Sequence, residues 1–301
     1  MNAAEHCTHH VWVGASSILE ASGPDALDFL HRLSTQDLRG ELSTDGASTT
    51  TAFTTAQGKL VEWCRIFRVE AERYLLVCHK IKGAALLEWI DKYIIIEDVE
   101  IQDVSSKFVH LEVGTDAPES ADTVTSGGLR IAPPQGRLLR TEWLVARTDT
   151  EALESIITGD ELSREWLRLL AGEPSPNFEY QKETNALELN LLHAAIGWNK
   201  GCYIGQEVIS RLDSYDKVAR GLMGFECLNE TTVTPVAGDK LISADGKTVG
   251  KVTSSIKGAS GQCIGLAVVA RQWPEGSEVS ILSSDKQQSA RLVQRSFGRK
   301  G

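Results

Sequence analysis

The chain has 301 residues, of which 42% are hydrophobic and 24% charged, and its formal net charge is −10 at pH 7. This length is enough to bury a large core and to form two or three domains. No apolar run reaches the roughly 18 residues of a membrane-spanning helix, and the negative charge disfavours direct binding of nucleic acid, whose phosphates attract cations.

The first third of the sequence predicts helices packed on a sheet. Pro24 suits the first position of a helix, and the apolar residues of the segment 26–33 share one helical face. The threonine-rich residues 47–57 and the apolar residues 60–69 predict two strands that form a hairpin. Further along, residues 74–78 predict a strand, residues 82–90 a helix and residues 93–104 a return to strand.

The middle of the chain continues this alternation, and the last part changes its pattern. Residues 136–146 predict strands, and residues 150–157 and 162–171 predict helices. From residue 221 onward the sequence contains five short alternating segments, GLMGFEC, DKLIS, KTVGKVTSS, CIGLAVVA and SEVSILS, with a turn at Asp245-Gly246. These segments predict a small C-terminal β-barrel.

The N-terminus and the cysteines indicate the compartment. The start MNAAEHCTHH lacks the basic and apolar parts of a signal peptide, so we expect a cytoplasmic protein, or an organellar form without its transit peptide, and no membrane partner. The six cysteines form no Cys-x-x-Cys pair, which disfavours a disulfide framework or a zinc ribbon. Cys7 and the histidines at 6, 9 and 10 have ligand-like side chains, but a frayed terminus explains them equally well and we predict no metal site. His193 lies in an apolar stretch that favours a core histidine over a catalytic base.

The stretch KGCYIGQE, residues 200–207, carries the clearest chemistry. A helix predicted over residues 205–212 would place Cys202 near a positive helix end. The cations Lys200 and Arg211 would then favour the thiolate form of this cysteine. Glycines on both sides of Cys202 permit unusual backbone angles and the close approach of a ligand. A buried structural cysteine at a tight turn is the alternative interpretation.

KGCYIGQE resembles the signature of the YgfZ family of folate-binding proteins, which are related to the aminomethyltransferase (T-protein) of the glycine cleavage system. Five more stretches match this family in order: GPDALDFLHRLSTQDL, FTTAQGK, WLRLLAGEP, NALELN and VARGLMGFE. The resemblance implies an α+β fold, a three-lobed ring of two α/β lobes and a C-terminal β-barrel around a folate site. It places the lobes at residues 1–110, 111–220 and 221–301, with part of 175–220 returning to the first lobe and KGCYIGQE in the second.

The same resemblance implies a function. Members of the family bind folate and support the assembly or repair of iron–sulfur enzymes, which affects tRNA modification indirectly. We therefore expect a tetrahydrofolate-binding accessory protein, non-enzymatic or weakly catalytic, whose partners are iron–sulfur enzymes or assembly proteins. Cys202 is its expected functional thiol, solvent-accessible and beside the folate cavity. Such a thiol could hold iron or an iron–sulfur cluster only transiently, since stable clusters need several thiolate ligands.

A tetrahydrofolate needs acceptors for its pterin, an aromatic wall for its rings and cations for its glutamate tail. The residues that the sequence offers as polar contacts are Glu188, Gln206 and Glu207; those that could stack are Tyr203, Trp198 and Phe53; and the cations are Lys200, Arg211 and Arg220. Each also has a structural explanation, such as an ion pair between Glu207 and Arg211 or a core position for the aromatic rings.

Two departures from the aminomethyltransferases bear on catalysis. Leu170 stands where those enzymes have a folate-contacting glutamate, and a leucine cannot accept a hydrogen bond. Their essential aspartate has Glu62 as its nearest counterpart, which makes Glu62 a weak catalytic candidate. A tetrahydrofolate-dependent aminomethyltransferase, or another one-carbon transferase, is the alternative function, and a scaffold that binds no ligand is the third hypothesis.

Overall fold

The computed structural model describes residues 10–114, 128–131, 140–147, 150–181, 183–189, 195–215, 217–230, 233–283 and 286–295. The α-helices in these ranges are α1 Ala26–Leu33, α2 Leu38–Glu41, α3 Gly83–Asp91, α4 Thr150–Ile156, α5 Glu161–Ala171 and α6 Gln206–Ser214. None of these helices is long and apolar enough to cross a bilayer. The residues His6, Cys7, His9 and His193, considered above as ligands or a catalytic base, lie outside the described residues.

The strands form two open sheets and one barrel. They are β1 Val11–Val13, β2 Ser16–Ser22, β3 Ser48–Thr54, β4 Leu60–Glu70, β5 Arg73–His79, β6 Glu100–Asp103, β7 Phe108–Gly114, β8 Leu129–Ile131, β9 Arg140–Ala146, β10 Arg220–Cys227, β11 Lys240–Ile242, β12 Thr248–Lys257, β13 Cys263–Ala270, β14 Glu278–Ser283 and β15 Lys286–Val293. A 3₁₀ turn at Ala186–Leu189 precedes the KGCYIGQE segment.

The first sheet has the strand order β3-β4-β5-β2-β6, with antiparallel neighbours throughout. Helix α1 covers it, and the apolar side chains predicted to share a face, those of residues 26, 29, 30 and 33, are all buried. The predicted hairpin of residues 47–69 and the predicted helix over 82–90 are confirmed, with ends shifted by a few residues.

The prediction of strand over residues 93–104 is wrong for its first part, since only β6 is extended and paired. The side chain of Glu97 gives the reason. It accepts hydrogen bonds from the backbone N–H groups of Ile95 and Ile96, at 3.0 and 3.1 Å, which a sheet would otherwise use. These bonds lower the pKa of Glu97 to about 2. The segment therefore turns at the surface and leaves both isoleucines largely exposed.

The second sheet has the order β1-β7-β9-β8, so the first described strand joins it rather than the first sheet. Helix α5 follows the pattern predicted for it. Its Asp160 N-cap accepts from the backbone N–H of Ser163, and it ends at Gly172, whose φ of 74° is left-handed. The helix packs against β12 and β13 through Trp166, and thereby joins this part of the chain to the barrel. The lobe boundaries given above stay a prediction.

The C-terminal part is a closed barrel in the order β10-β13-β12-β11-β14-β15. All five predicted strands are present, and the turn at Asp245-Gly246 has the left-handed glycine that such hairpins need, at φ 81°. The sequence KQQSARLV of β15 was not predicted as a strand. Half of its residues are exposed, and only Ala290 and Leu292 are buried in the barrel core, so its apolar alternation is short.

Candidate functional site

The loop that carries KGCYIGQE is attached to the first lobe by its lysine. The Nζ of Lys200 donates to the backbone carbonyls of His31, Ser34 and Gln36, at 2.5, 2.6 and 2.9 Å. Burial lowers the pKa of this ammonium group to about 8. Since its donors are used inside the protein, Lys200 is not available for the glutamate tail of a folate, and this part of the expectation is corrected.

Cys202 is exposed, as expected of a functional thiol, whereas Cys64, Cys78, Cys227 and Cys263 are buried. Its expected place beside the folate cavity stays a prediction. Cys202 does not line three cavities found among the described residues, with volumes of about 890, 520 and 30 Å³. Those residues also contain no cluster of three or more side chains able to hold a metal ion.

The two glycines beside Cys202 differ in what surrounds them. Gly205 has a left-handed φ of 85° and begins helix α6, and a Cβ added to it would lie 2.5 Å from the backbone oxygen of Thr55. The Thr54 hydroxyl donates to the carbonyl of Ile204 at 2.6 Å, which holds the same turn against the first sheet. Gly201 has nothing within 4 Å of such a Cβ. The backbone conformation and the close packing thus require a glycine at position 205 but not at position 201.

Two of the predicted stacking residues are core residues. Phe53 is fully buried, and its ring meets Trp89 edge-on at 5.9 Å between centroids. Because no face of this ring reaches a cavity, the prediction that Phe53 stacks on a ligand is wrong. Tyr203 is buried in a small apolar cluster with Ile209, and this burial raises the pKa of its hydroxyl to about 12. Trp198 is 42% exposed but lines none of the three cavities.

The predicted contacts on helix α6 lie apart from the cavities as well. Glu207 and Arg211 are exposed and Gln206 is half-buried. No ion pair joins Glu207 to Arg211 among the described residues, although their spacing would allow one. Their role in binding folate stays a prediction.

Glu188 and Arg220 do meet at a cavity. This first cavity has a volume of about 890 Å³ and lies between the segment 177–189 and the barrel. Arg220 Nε donates to Glu188 Oε2 at 2.9 Å on its wall. The other lining side chains relevant to a ligand are the apolar Leu189, Val249, Val252 and Val268, the aromatic Phe178, and the charged Glu183 and Lys251.

Phe178 marks the border between this cavity and a second one of about 520 Å³, because it and Asn177 line both. The ring is 48% exposed, and the guanidinium carbon of Arg168 lies 5.6 Å from its centre. Phe178 was not predicted as a site residue, because the stretch PSPNF is typical of a loop that ends a helix. The sequence did contain one signal for an exposed ring: an aromatic residue in a loop, with no apolar residue at helical or strand spacing from it.

Arg168 fixes the wall between the two cavities. Its guanidinium donates to both oxygens of Glu165 at 2.7 Å, to Glu179 at 2.8 Å and to the Ser254 hydroxyl at 2.9 Å. Burial alone would lower its pKa, but the hydrogen bonds to Glu165 and the charge of Glu179 raise the pKa above its ordinary value. One side chain thus joins helix α5, the loop that carries Phe178, and strand β12.

Glu62, the weak catalytic candidate, is fully buried and lines no described cavity. Its Oε1 accepts from the Tyr180 hydroxyl at 2.8 Å and lies 2.9 Å from His79 Nδ1, while Oε2 has no hydrogen-bond partner. Direct contact between Glu62 and a ligand is therefore excluded in this structure. Leu170 is half-buried and packs against the central apolar core. This apolar contact is the role that the structure gives to a side chain that cannot accept a hydrogen bond.

Comparison with known proteins gives the family context. The GCVT N-terminal domain model matches residues 13–127, and the glycine cleavage T-protein C-terminal barrel domain model matches residues 220–297. The chain carries both domains of the glycine cleavage T-protein. The aminomethyltransferase T of the glycine cleavage system from Bartonella henselae superposes with a TM-score of 0.77 over 99% of this chain and 89% of that chain, at 19% identity. The expected fold, a mixed α/β aminomethyltransferase-like protein with a C-terminal barrel, is confirmed.

Curated relatives extend this similarity along the sequence. A chloroplastic protein of Arabidopsis thaliana, named as a candidate transferase, is 28% identical in an alignment 282 residues long that covers 84% of this chain and 63% of that protein. An aminomethyltransferase of Staphylococcus carnosus is 23% identical in an alignment 305 residues long that covers 91% of this chain and 82% of that enzyme. The chain thus spans less than two thirds of the Arabidopsis relative. These similarities support the T-protein-like group as a whole and do not single out the YgfZ family within it.

Proposed function

We propose that this chain binds a tetrahydrofolate in the first cavity, between the segment 177–189 and the barrel. The observation that carries the proposal is the joint lining of that cavity by Phe178, Arg220 and Lys251. Its volume of about 890 Å³ is within the range of small-molecule sites. The T-protein-like fold supports the same ligand class.

The side chains present fit the three parts of a folate. Phe178 offers an exposed ring, and Val268 of β13, which is only partly buried, offers an apolar contact for the rings of the ligand. Arg220 uses only Nε for Glu188 among the described contacts, which leaves its terminal N–H groups for a carboxylate of the tail. Lys251 supplies a second cation on the same wall.

Calorimetric titration with tetrahydrofolate, in the presence of a reductant, tests the proposal. Loss of one aromatic contact, worth about 0.5–1.5 kcal/mol, predicts that Phe178→Ala weakens binding roughly 2- to 12-fold. Trp198→Ala is the matched control, because Trp198 is similarly exposed but lies away from the cavity. Arg220→Gln should weaken binding of a polyglutamylated folate more than that of the monoglutamate.

The controls separate the possible results. No heat of binding and no thermal stabilisation by tetrahydrofolate would contradict the proposal and favour a scaffold without a ligand. A loss of affinity in Trp198→Ala with none in Phe178→Ala would move the site to the surface near KGCYIGQE. Turnover of a methylamine carrier in the presence of tetrahydrofolate would assign the chain to the one-carbon transferases.

We propose that the biological role is support of iron–sulfur enzymes, with Cys202 as the functional thiol. The observation in favour is that Cys202 is exposed while the four other described cysteines are buried. An exposed thiol can exchange with a partner's thiol or hold iron briefly, and the partner or a small thiol supplies the remaining ligands.

Complementation of a deletion strain tests this role. Cys202→Ser should lower the activity of an iron–sulfur enzyme to the level of the deletion, while Gly201→Ala, in the same loop with the thiol intact, should restore it. Equal activity with Cys202→Ser and with the unmodified chain would contradict the role of the thiol. Folate affinity of Cys202→Ser, measured in parallel, should be unchanged because the residue lines no described cavity.

A further inference from the structure

His79 ends strand β5 and lines the second cavity, next to Phe178. Its side chain is 23% exposed, whereas the Glu62 carboxylate that it contacts is fully buried. Aromatic neighbours hold the imidazole edge-on from two directions, Trp63 at 5.1 Å and Tyr180 at 6.1 Å between centroids. One edge of the ring is thus anchored in the protein interior while the side chain reaches the cavity.

Hydrogen-bond chemistry determines which ring nitrogen carries the hydrogen. The Tyr180 hydroxyl donates its single hydrogen to Glu62 Oε1 at 2.8 Å, so its oxygen can only accept from His79 Nδ1, which lies 3.2 Å away. Glu62, as a carboxylate, also only accepts, at 2.9 Å from the same nitrogen. Nδ1 must therefore be the donor in both contacts. In the neutral ring, Nε2 is then the nitrogen with the free lone pair.

Both arginines that line the second cavity already have protein partners. Arg168 is bonded to Glu165 and Glu179, and Arg164 to Glu112 at 2.7 Å. In the part of the chain that the structure describes, Nε2 of His79 makes no hydrogen bond. An acceptor without a partner at the edge of a cavity is suited to a ligand that brings an N–H or O–H group.

We propose that Nε2 of His79 is the proton-accepting atom of a ligand site in the second cavity, and that it takes an N–H group of a reduced pterin ring. This step rests on the proposed function. The two cavities share Asn177 and Phe178, so a folate held in the first cavity can extend its ring past Phe178 towards His79. The tail cations Arg220 and Lys251 then remain at the opposite end of the ligand.

Proton transfer at this site needs no group other than the ligand and His79. The N–H bond of the ligand breaks with its electron pair left on the ligand nitrogen, and a new N–H bond forms at His79 Nε2. The resulting imidazolium faces the Glu62 carboxylate, whose negative charge stabilises it. Glu62 and Tyr180 are thus positioning residues, which hold the tautomer without touching the ligand.

Nuclear magnetic resonance of protein with isotope-labelled histidine tests the proposal on the intact chain. The carbon and nitrogen shifts of the ring report its tautomer, and the spectrum of His79→Gln assigns the signal. We expect the Nδ1–H tautomer in the free protein and a shift of the Nε2 signal as tetrahydrofolate saturates it. Tyr180→Phe removes the hydroxyl but keeps the ring, and should add a detectable fraction of the Nε2–H tautomer.

Calorimetry adds an independent measure. Loss of one hydrogen bond to the ligand predicts that His79→Gln binds tetrahydrofolate roughly 2- to 12-fold more weakly, while His10→Gln, at a residue that lines neither cavity, binds normally. Saturation by folate with no change at His79 Nε2, or an Nε2–H tautomer in the free protein, would overturn the inference and leave folate binding intact. Absence of folate binding to the unmodified chain would instead refute the proposed function, and with it the pterin as the ligand of His79.

Discussion

Replacement of the two glycines beside Cys202 should have very different costs. Gly205→Ala puts a Cβ on a residue with φ 85°, which costs about 1–2 kcal/mol for an L side chain. That Cβ also lies 2.5 Å from the Thr55 carbonyl oxygen and 2.7 Å from the Thr54 hydroxyl. The backbone must shift, and the hydrogen bond from Thr54 to Ile204 is strained, at a further cost of about 1 kcal/mol. We expect the free energy of unfolding to fall by roughly 2–3 kcal/mol.

Gly201→Ala is the matched control in the same loop. No atom lies within 4 Å of the added Cβ, and its φ is outside the left-handed region, so the free energy of unfolding should change by less than about 0.5 kcal/mol. Urea unfolding of both variants, followed by tryptophan fluorescence and by circular dichroism, gives the two values. Equal unfolding midpoints for Gly201→Ala and Gly205→Ala would refute the packing of this turn against the first sheet.

Two further predictions concern buried cations. Arg168→Met leaves the fully buried Glu179 carboxylate without its ion pair and should lower the free energy of unfolding by about 3–5 kcal/mol. The control Arg32→Ala breaks only exposed ion pairs and should lower it by less than about 1 kcal/mol in the same urea assay. Similar losses of unfolding free energy in the two variants would contradict the buried network. Between about pH 8 and 10.5 the unfolded chain keeps the Lys200 proton that the folded chain has lost. The free energy of unfolding of the unmodified protein, relative to Lys200→Met, should therefore rise with pH across this window, and a flat or falling difference would show that the folded ammonium stays protonated.

The sequence was sufficient for elements whose signal is local. The apolar face of α1, the capped helix α5 and five barrel strands follow from spacing within single segments, and each is found in the structure. The failures have local causes too. Glu97 bonds the amides of a segment that reads as a strand, and β15 presents mostly polar side chains. At Glu97 side-chain hydrogen bonds replace the strand that the apolar pattern predicts, and at β15 pairing with β10 and β14 forms a strand where that pattern is short.

The candidate site was harder to predict because its residues are far apart in the chain. Most of the predicted folate contacts were chosen close to Cys202, and only Glu188 and Arg220 line a described cavity. The cavity wall combines the segment 177–189 with barrel strands some 70 residues later, and the partners of Gly205 come from the first hairpin, about 150 residues earlier. Spacing along the chain carries no information about such contacts, so the motif pointed to Cys202 but not to Phe178 or Lys251.

The buried charges around the second cavity favour a functional explanation over a structural one. Desolvation makes buried ion pairs weak contributors to net stability, and well-packed apolar residues could replace them at little cost. Here Glu62 is fully buried, one of its oxygens has no hydrogen-bond partner, and its other oxygen meets both His79 and Tyr180. An arrangement that only filled space would not need this unsatisfied oxygen. The contacts of Glu62 Oε1 with His79 and Tyr180 fix the imidazole tautomer at the edge of a cavity, and a proton-accepting site requires a fixed tautomer.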